Sequence, residues 1–145
     1  MTNRAETIMA AIAPLLTGLT TTGANVQRSR AWPVDALPAL TIQQGSNTVN
    51  EGEDEVFGAI LRTLEFSVIS QIKGISLLET QLNQIAAEVY AALTADRKLG
   101  LAYVFDVRLV GDSEPELEAE QDEPTARQTM TWRVVYEHSE TSTEV

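Results

Sequence analysis

An α+β fold, with a mostly antiparallel sheet of four to five strands and two helices on one face, is what this sequence of 145 residues predicts. Three observations carry it. A stretch from Val56 to Ile72 alternates apolar and polar residues with the period of a strand. The stretch that follows repeats its apolar residues with the period of a helix. Two more alternating stretches close the chain. The length suits one domain spanning residues 1–145, large enough to bury a core.

The first element is a helix. Ile8, Met9, Ile12, Leu15, Leu16 and Leu19 fall on one helical stripe. Pro14 has no amide proton and its ring crowds the carbonyl of Ala10, which predicts a kink or an early end near Ala13. Gly18 and Gly23 bracket a Thr-rich turn, and β-branched Val26 opens "NVQRSRAWP" as a short edge strand. In "ALPALTIQQG", Leu40 and Ile42 give a brief strand ending in a turn at Gly45, after which "SNTVNEGEDE" has no periodicity and predicts a loop.

The long strand places Leu64, Phe66, Val68 and Ile72 on one face and Thr63, Glu65, Ser67 and Gln71 on the other. Gly74 ends it. "SLLE" then predicts a capping box between Ser76 and Glu79 at the start of a second helix. Leu78, Leu82, Ile85, Val89 and Leu93 form that helix's core stripe, with Arg97, Lys98 and Gly100 as a basic last turn and stop. "LAYVFDVRLV" predicts a strand with Tyr103, Phe105, Val107 and Leu109 inward, and "RQTMTWRVVYE" one with Met130, Trp132, Val134 and Tyr136 inward. These two make a hairpin. The run between them, "DSEPELEAEQDEP", predicts an extended acidic excursion longer than an ordinary hairpin loop.

Composition narrows the chemistry. Ten basic against 21 acidic residues give a net charge of −11, which opposes general affinity for nucleic-acid backbone. The chain has no cysteine, so disulfides, thiolate metal sites and thiol nucleophiles are absent. The N-terminal stretch carries Arg4 and Glu6 and predicts a helix of a cytoplasmic domain, with no leader or membrane span. His138 is the sole histidine; placed past the last strand on the surface, it offers little for a triad or an acid–base pair. The glycines form no phosphate-binding loop. Neither acidic segment has the ligand spacing of a calcium loop, and neither offers the apolar cleft that tunes paired catalytic carboxylates. The expectation is a non-enzyme without cofactor or metal.

What remains is surface. Arg28, Arg30 and Trp32 form a basic-aromatic cluster that reads as an edge strand paired with acids ahead of a nucleic-acid contact, and that could equally serve a protein interface. Arg62, Glu65, Asp106, Arg108 and Arg133 are expected on the polar side of the sheet, as solvated cross-strand pairs or as a subunit contact. Two acidic segments, Glu51, Glu53, Asp54 and Glu55, and Glu114, Glu116, Glu118, Glu120 and Asp122, are expected to be solvated, mobile loops, with ordering against a partner as the alternative.

Taken together, the N-terminal helix leading to "VQRSRAWPVDALPALTIQQG", the strand "AILRTLEFSVIS", the helix "LLETQLNQIAAEVYAAL" and the pair "YVFDVRLVG" and "RQTMTWRVVYE" resemble the tail terminator proteins of long-tailed phages, the lambda-type minor tail protein U family. The resemblance is one of layout over nearly the whole chain. It implies a late structural virion protein, monomeric or weakly associated in the host cytoplasm, that closes into a homohexameric ring on the finished tail tube. Its implied partners are its own copies, the major tail tube protein and a head-completion or neck protein, with no sequence-specific nucleic acid and no membrane. It also implies an acidic lumen that lets DNA slide past. Another small head-tail connector or neck protein is the alternative reading, and a metal-dependent hydrolase a distant one.

Overall fold

The computed structural model describes residues 3–23, 25–28, 37–50, 59–74, 77–118 and 124–139. The order is α1 (Arg4–Leu16), β1 (Val26–Arg28), β2 (Ala39–Val49), β3 (Ala59–Lys73), α2 (Leu78–Thr94), β4 (Val104–Asp112), β5 (Glu116–Glu118) and β6 (Thr125–Ser139). The strands form one six-stranded sheet ordered β1-β2-β3-β6-β4, with β5 also paired to β6. The fold is α+β as predicted, with six strands in place of four to five. Among the described residues, only the β1/β2 pair is parallel.

The sheet is built on the β3/β6 ladder, unbroken from Ala59 opposite Ser139 to Lys73 opposite Thr125. Because side chains alternate with period two, this register places Leu64, Phe66, Val68 and Ile72 beside Ala126, Met130, Trp132, Val134 and Tyr136 on one face. Both helices cover that face. Ile8, Met9, Ile12 and Leu16 of α1 and Leu82, Ile85, Val89 and Leu93 of α2 close the core over it. Trp132 sits at its centre, stacked on Phe66 with ring centroids 6.3 Å apart and tilted against Tyr90 of α2 at 6.0 Å.

Several local expectations change. Helix α1 continues through Pro14 to Leu16. Ala10 and Pro14 are both exposed, so the carbonyl that loses its donor faces water. The helix begins at Asn3, whose Oδ1 accepts the Glu6 amide at 2.7 Å. Leu15 lies outside the buried stripe. Strand β2 does not stop at Gly45; it runs on to Val49, absorbing one surplus residue between Gln44 and Asn47. A Cβ at Gly45 would lie 3.2 Å from the Glu65 carbonyl oxygen, so the close approach of β3 favours glycine there. The start of α2 has Leu77 as N-cap, in the left-handed region at φ 59° with no side-chain cap; Ser76, expected to cap it, lies outside the described residues.

Helix α2 ends at Thr94, before the basic residues expected in its last turn. The chain then turns through Asp96, whose carboxylate accepts the Lys98 amide at 3.0 Å and the Gly100 amide at 2.9 Å. The Thr-rich turn after α1 is fastened to α2 by Glu88, which accepts the Thr21 amide at 2.9 Å and the Thr21 hydroxyl. Burial pushes the Glu88 carboxyl up, but these bonds from Thr21, with contributions from Gln84 and Thr20, outweigh it and hold the group below its ordinary value of 4.5.

Strand β4 departs furthest from simple alternation. Val104 lies opposite Tyr136, Asp106 opposite Val135, Leu109 opposite Trp132 and Gly111 opposite Thr131, so Phe105 and Val110 are each a surplus residue in a bulge. Val104 and Val107 point into the core, and Phe105, expected inward, is about half exposed. The acidic run is likewise no simple excursion. Its described part leaves β4, breaks at Ser113–Pro115 and resumes as β5, pairing Glu116 with Arg127 and Glu118 with Thr125.

Two outcomes follow for stability. Phe66→Ala and Trp132→Ala, at fully buried positions, should each cost about 3–5 kcal/mol in urea titrations monitored by circular dichroism. Glu88 has a depressed folded-state pKa, so its contribution is full above the unfolded value and is lost as pH falls through the folded one. Glu88→Gln should therefore cost about 1–2 kcal/mol at pH 7 and flatten the loss of stability seen on acidification below pH 4.5.

Candidate functional site

No helix covers the outer face of the sheet among the described residues. The alternation that buries the even-numbered residues of β3 and β6 presents Thr63, Glu65 and Ser67 beside Thr131, Arg133 and Val135 on this face. Register then aligns Glu65, Arg133 and Arg108 across β3, β6 and β4. Arg133 makes no ion pair among the described residues, and Glu65 instead accepts weakly from Ser46 Oγ at 3.4 Å. Two arginines side by side on neighbouring strands repel, and of the two only Arg108 has an ion pair among the described residues, with Asp106.

At the β4 edge the outer face meets α2. An open groove of about 630 Å³ runs between Tyr90 and Thr94 of α2, Arg97 of the following turn, and Asp106, Arg108 and Leu109 of β4. Asp106 bridges the two arginines, with Oδ2 2.6 Å from Arg108 Nε and Oδ1 3.4 Å from Arg97 Nη1. Partial burial raises the Asp106 carboxyl, but the hydrogen bonds from Arg108 and Arg97 prevail and hold it below its ordinary value of 3.8. Arg97 Nη1 also donates to the Val107 carbonyl at 3.3 Å. Its side chain thus occupies an acceptor of the edge strand.

A second polar cluster lies at the end of the sheet on the core side. Arg62 was expected on the polar face, but its even position puts it with Tyr136 and His138. Arg62 Nε donates to His138 Nε2 at 2.8 Å, which leaves the proton on Nδ1 to donate to the Ser139 carbonyl at 2.9 Å. His138 is no surface residue past the last strand: it lies within β6 and is 3% exposed. Nearby, Arg4 Nη1 donates to the Glu137 carbonyl at 2.5 Å and lies 4.4 Å from the Tyr103 ring centroid, while Asn47 Nδ2 donates to the Tyr136 hydroxyl at 2.8 Å.

The remaining expected residues separate. Arg28 of β1 forms a bidentate pair with Glu6 of α1, at 2.6 and 2.8 Å, as an edge-strand arginine paired with an acid. Its guanidinium holds Glu6 below the ordinary carboxylate value against a smaller desolvation effect. Arg30 and Trp32 lie outside the described residues, as do Glu51, Glu53, Asp54, Glu55, Glu120 and Asp122. Glu114 precedes β5, Glu116 pairs with Arg127 at 2.7 Å, and Glu118 ends β5. Among the described residues, no group of three or more His, Asp or Glu side chains is arranged to hold a metal ion, and no helix is long and apolar enough to cross a membrane.

Sequence reasoning missed three features. The inward alternation of Met130, Trp132, Val134 and Tyr136 continues one step further to His138, which was the available signal for its burial. Val104 and Val107, three residues apart, signal a bulge at Phe105. Nothing local distinguishes Arg97 as a residue of the β4 edge, since its partners come from a different element.

No protein-family model and no curated protein matches the sequence. Among solved structures, one chain from the virion of a native gene transfer agent (GTA) particle shares the fold, with a TM-score of 0.54 and 17% sequence identity. The alignment covers 89% of this chain and 86% of that one. The likeness is one of fold, carried by the whole α+β unit.

The Arg62–His138 pair is open to a double-mutant cycle. Arg62→Ala and His138→Ala should each lower stability by about 1–3 kcal/mol, with the double variant losing clearly less than their sum in denaturant titrations. Additive losses would show that the two side chains act separately.

Proposed function

We infer that this chain is a structural protein of a phage-type virion, acting as a tail terminator that closes as a ring on the finished tail tube, stops its growth and presents the surface that joins the head. The observation that carries this reading is the shared fold with a chain of a gene transfer agent virion over most of both chains. The layout of the sequence, from the N-terminal helix to the closing strand pair, supports the narrower assignment to a terminator. A protein of this kind works by presenting surfaces, with no reacting group of its own. It needs distinct faces for its neighbours in a ring, because ring closure uses heterologous contacts between different patches of adjacent subunits.

The molecule offers such faces. One is the sheet face that no helix covers among the described residues, where Arg133 lacks an ion pair among those residues. Another is the corner where Arg28 ties β1 to α1, adjoining the stretch that contains Arg30 and Trp32. Six copies, the major tail tube protein and a head-completion protein are the proposed partners, within the virion at the end of the tail that faces the head. Negative-stain images of the protein mixed with purified tail tubes should show a ring at one end of each tube and no further tube growth on adding tube subunits. Binding to the head's neck complex without binding to tubes would favour a connector in its place.

A further inference from the structure

Strands β4 and β5 both pair with β6, on the flank opposite β3, so they lie in line and form a single sheet edge from Val104 to Glu118. The two halves of this edge differ in charge. The β4 half carries Arg108 and Arg97 around the carboxylate of Asp106, with Asp112 at the end of the strand beside the Ser113 break. The β5 half carries Glu114, Glu116 and Glu118, of which only Glu116 has an ion pair among the described residues. The halves also differ in apolar shape. Beside β4 the groove exposes Tyr90, 44% accessible, next to half-buried Leu109, while β5 projects Leu117, 58% accessible.

The faces agree as well. Arg108 lies opposite Arg133, and Glu118 opposite Thr125, on the outer face. Leu109 lies opposite Trp132, and Leu117 opposite Ala126, on the inner face. A twofold axis perpendicular to the sheet reverses the edge while keeping outer side with outer side. It therefore brings the β5 half of one copy against the β4 half of the other, twice over. We propose that a second copy of this chain docks on this edge, with Glu118 of each copy meeting Arg108 of the other and Leu117 of each entering the groove beside Tyr90 and Leu109. The antiparallel crossing falls near Ser113.

The contact is made by side chains more than by a continuous backbone ladder. The bulges at Phe105 and Val110, the missing amide of Pro115 and the Arg97 bond to the Val107 carbonyl all interrupt strand addition along this edge. Those interruptions limit pairing to a copy whose charges fall in register, and the two-fold arrangement closes the assembly at two subunits. Such a dimer is a form of the free protein and is independent of the ring reading.

Sedimentation equilibrium tests it. The wild-type chain should dimerise at roughly 0.1 mM and above, less so in 0.5 M NaCl. Arg108→Glu and Glu118→Arg should each weaken the dimer by about tenfold, and the two together should restore it to within about threefold of wild type. Leu117→Ser, at an exposed position that leaves the core intact, should weaken it independently of salt. A wild-type chain that stays monomeric, or a dimer unmoved by either charge reversal and by Leu117→Ser, overturns the proposal. Capping of tail tubes by the Arg108→Glu variant would leave the ring reading standing whatever becomes of the dimer.

Discussion

The β3/β6 ladder is the constraint on which everything else in this molecule rests. Fifteen residues of β3 face fifteen of β6 without a break in register. A slip of one residue would send Leu64, Phe66 and Val68 to the solvent face while Trp132 and Tyr136 stayed inside, removing one wall of the core. Trp132 makes the register costly to change, since it holds Phe66 across the ladder and Tyr90 across the layer at once. Its indole Nε1 has no hydrogen-bond partner among the described residues, and packing against Phe66 and Tyr90 holds the ring. The helices are then placed by the only apolar face available to them.

The same alternation determines where charge can stand. Turning the buried side chains of β3 and β6 to one side leaves Glu65, Arg108 and Arg133 in a row on the other, where their mutual arrangement follows from strand register. The exception is instructive. Arg62 has the phase of a core residue, and it is accommodated because His138 supplies an acceptor. A cation there is tied to a neutral ring, while Glu116 and Glu118 stand at the opposite end of β6, along β5. The protein's overall acidity thus conceals local surfaces of different sign, which suits a molecule whose proposed work is to meet several partners.

The sequence made the elements with strong period legible: β3 from Leu64 to Ile72, the inward residues of β6, and the Leu82, Ile85, Val89 and Leu93 stripe of α2 all lie where their spacing puts them. It made the sidedness of the sheet legible for the same reason. What it did not disclose were features set by contacts between distant segments. Gly45 reads locally as a turn, yet it serves as the point where β2 passes close to the Glu65 backbone. Arg97 reads as a helix-terminal charge, yet its partners are Asp106 and Val107 across a turn. The acidic run reads as solvated chain on charge repulsion alone, but three of its residues, Glu116 to Glu118, find backbone partners on β6, and Arg127 offsets one carboxylate. Of the candidate surface, the residue identities were available from the sequence and their grouping was not.

The two bulges of β4 give this edge a tolerance that the β3/β6 ladder lacks. In β3 or β6 every residue is committed to a partner, so adding or losing one would invert all side chains beyond it. Phe105 and Val110 have no such commitment; each is surplus to the pairing on either side. Excising either would leave Val104, Val107 and Leu109 inward and merely straighten the strand. Length variation during descent can therefore accumulate along this edge without disturbing the core, and the surface that differs most between related chains would be the one nearest the groove.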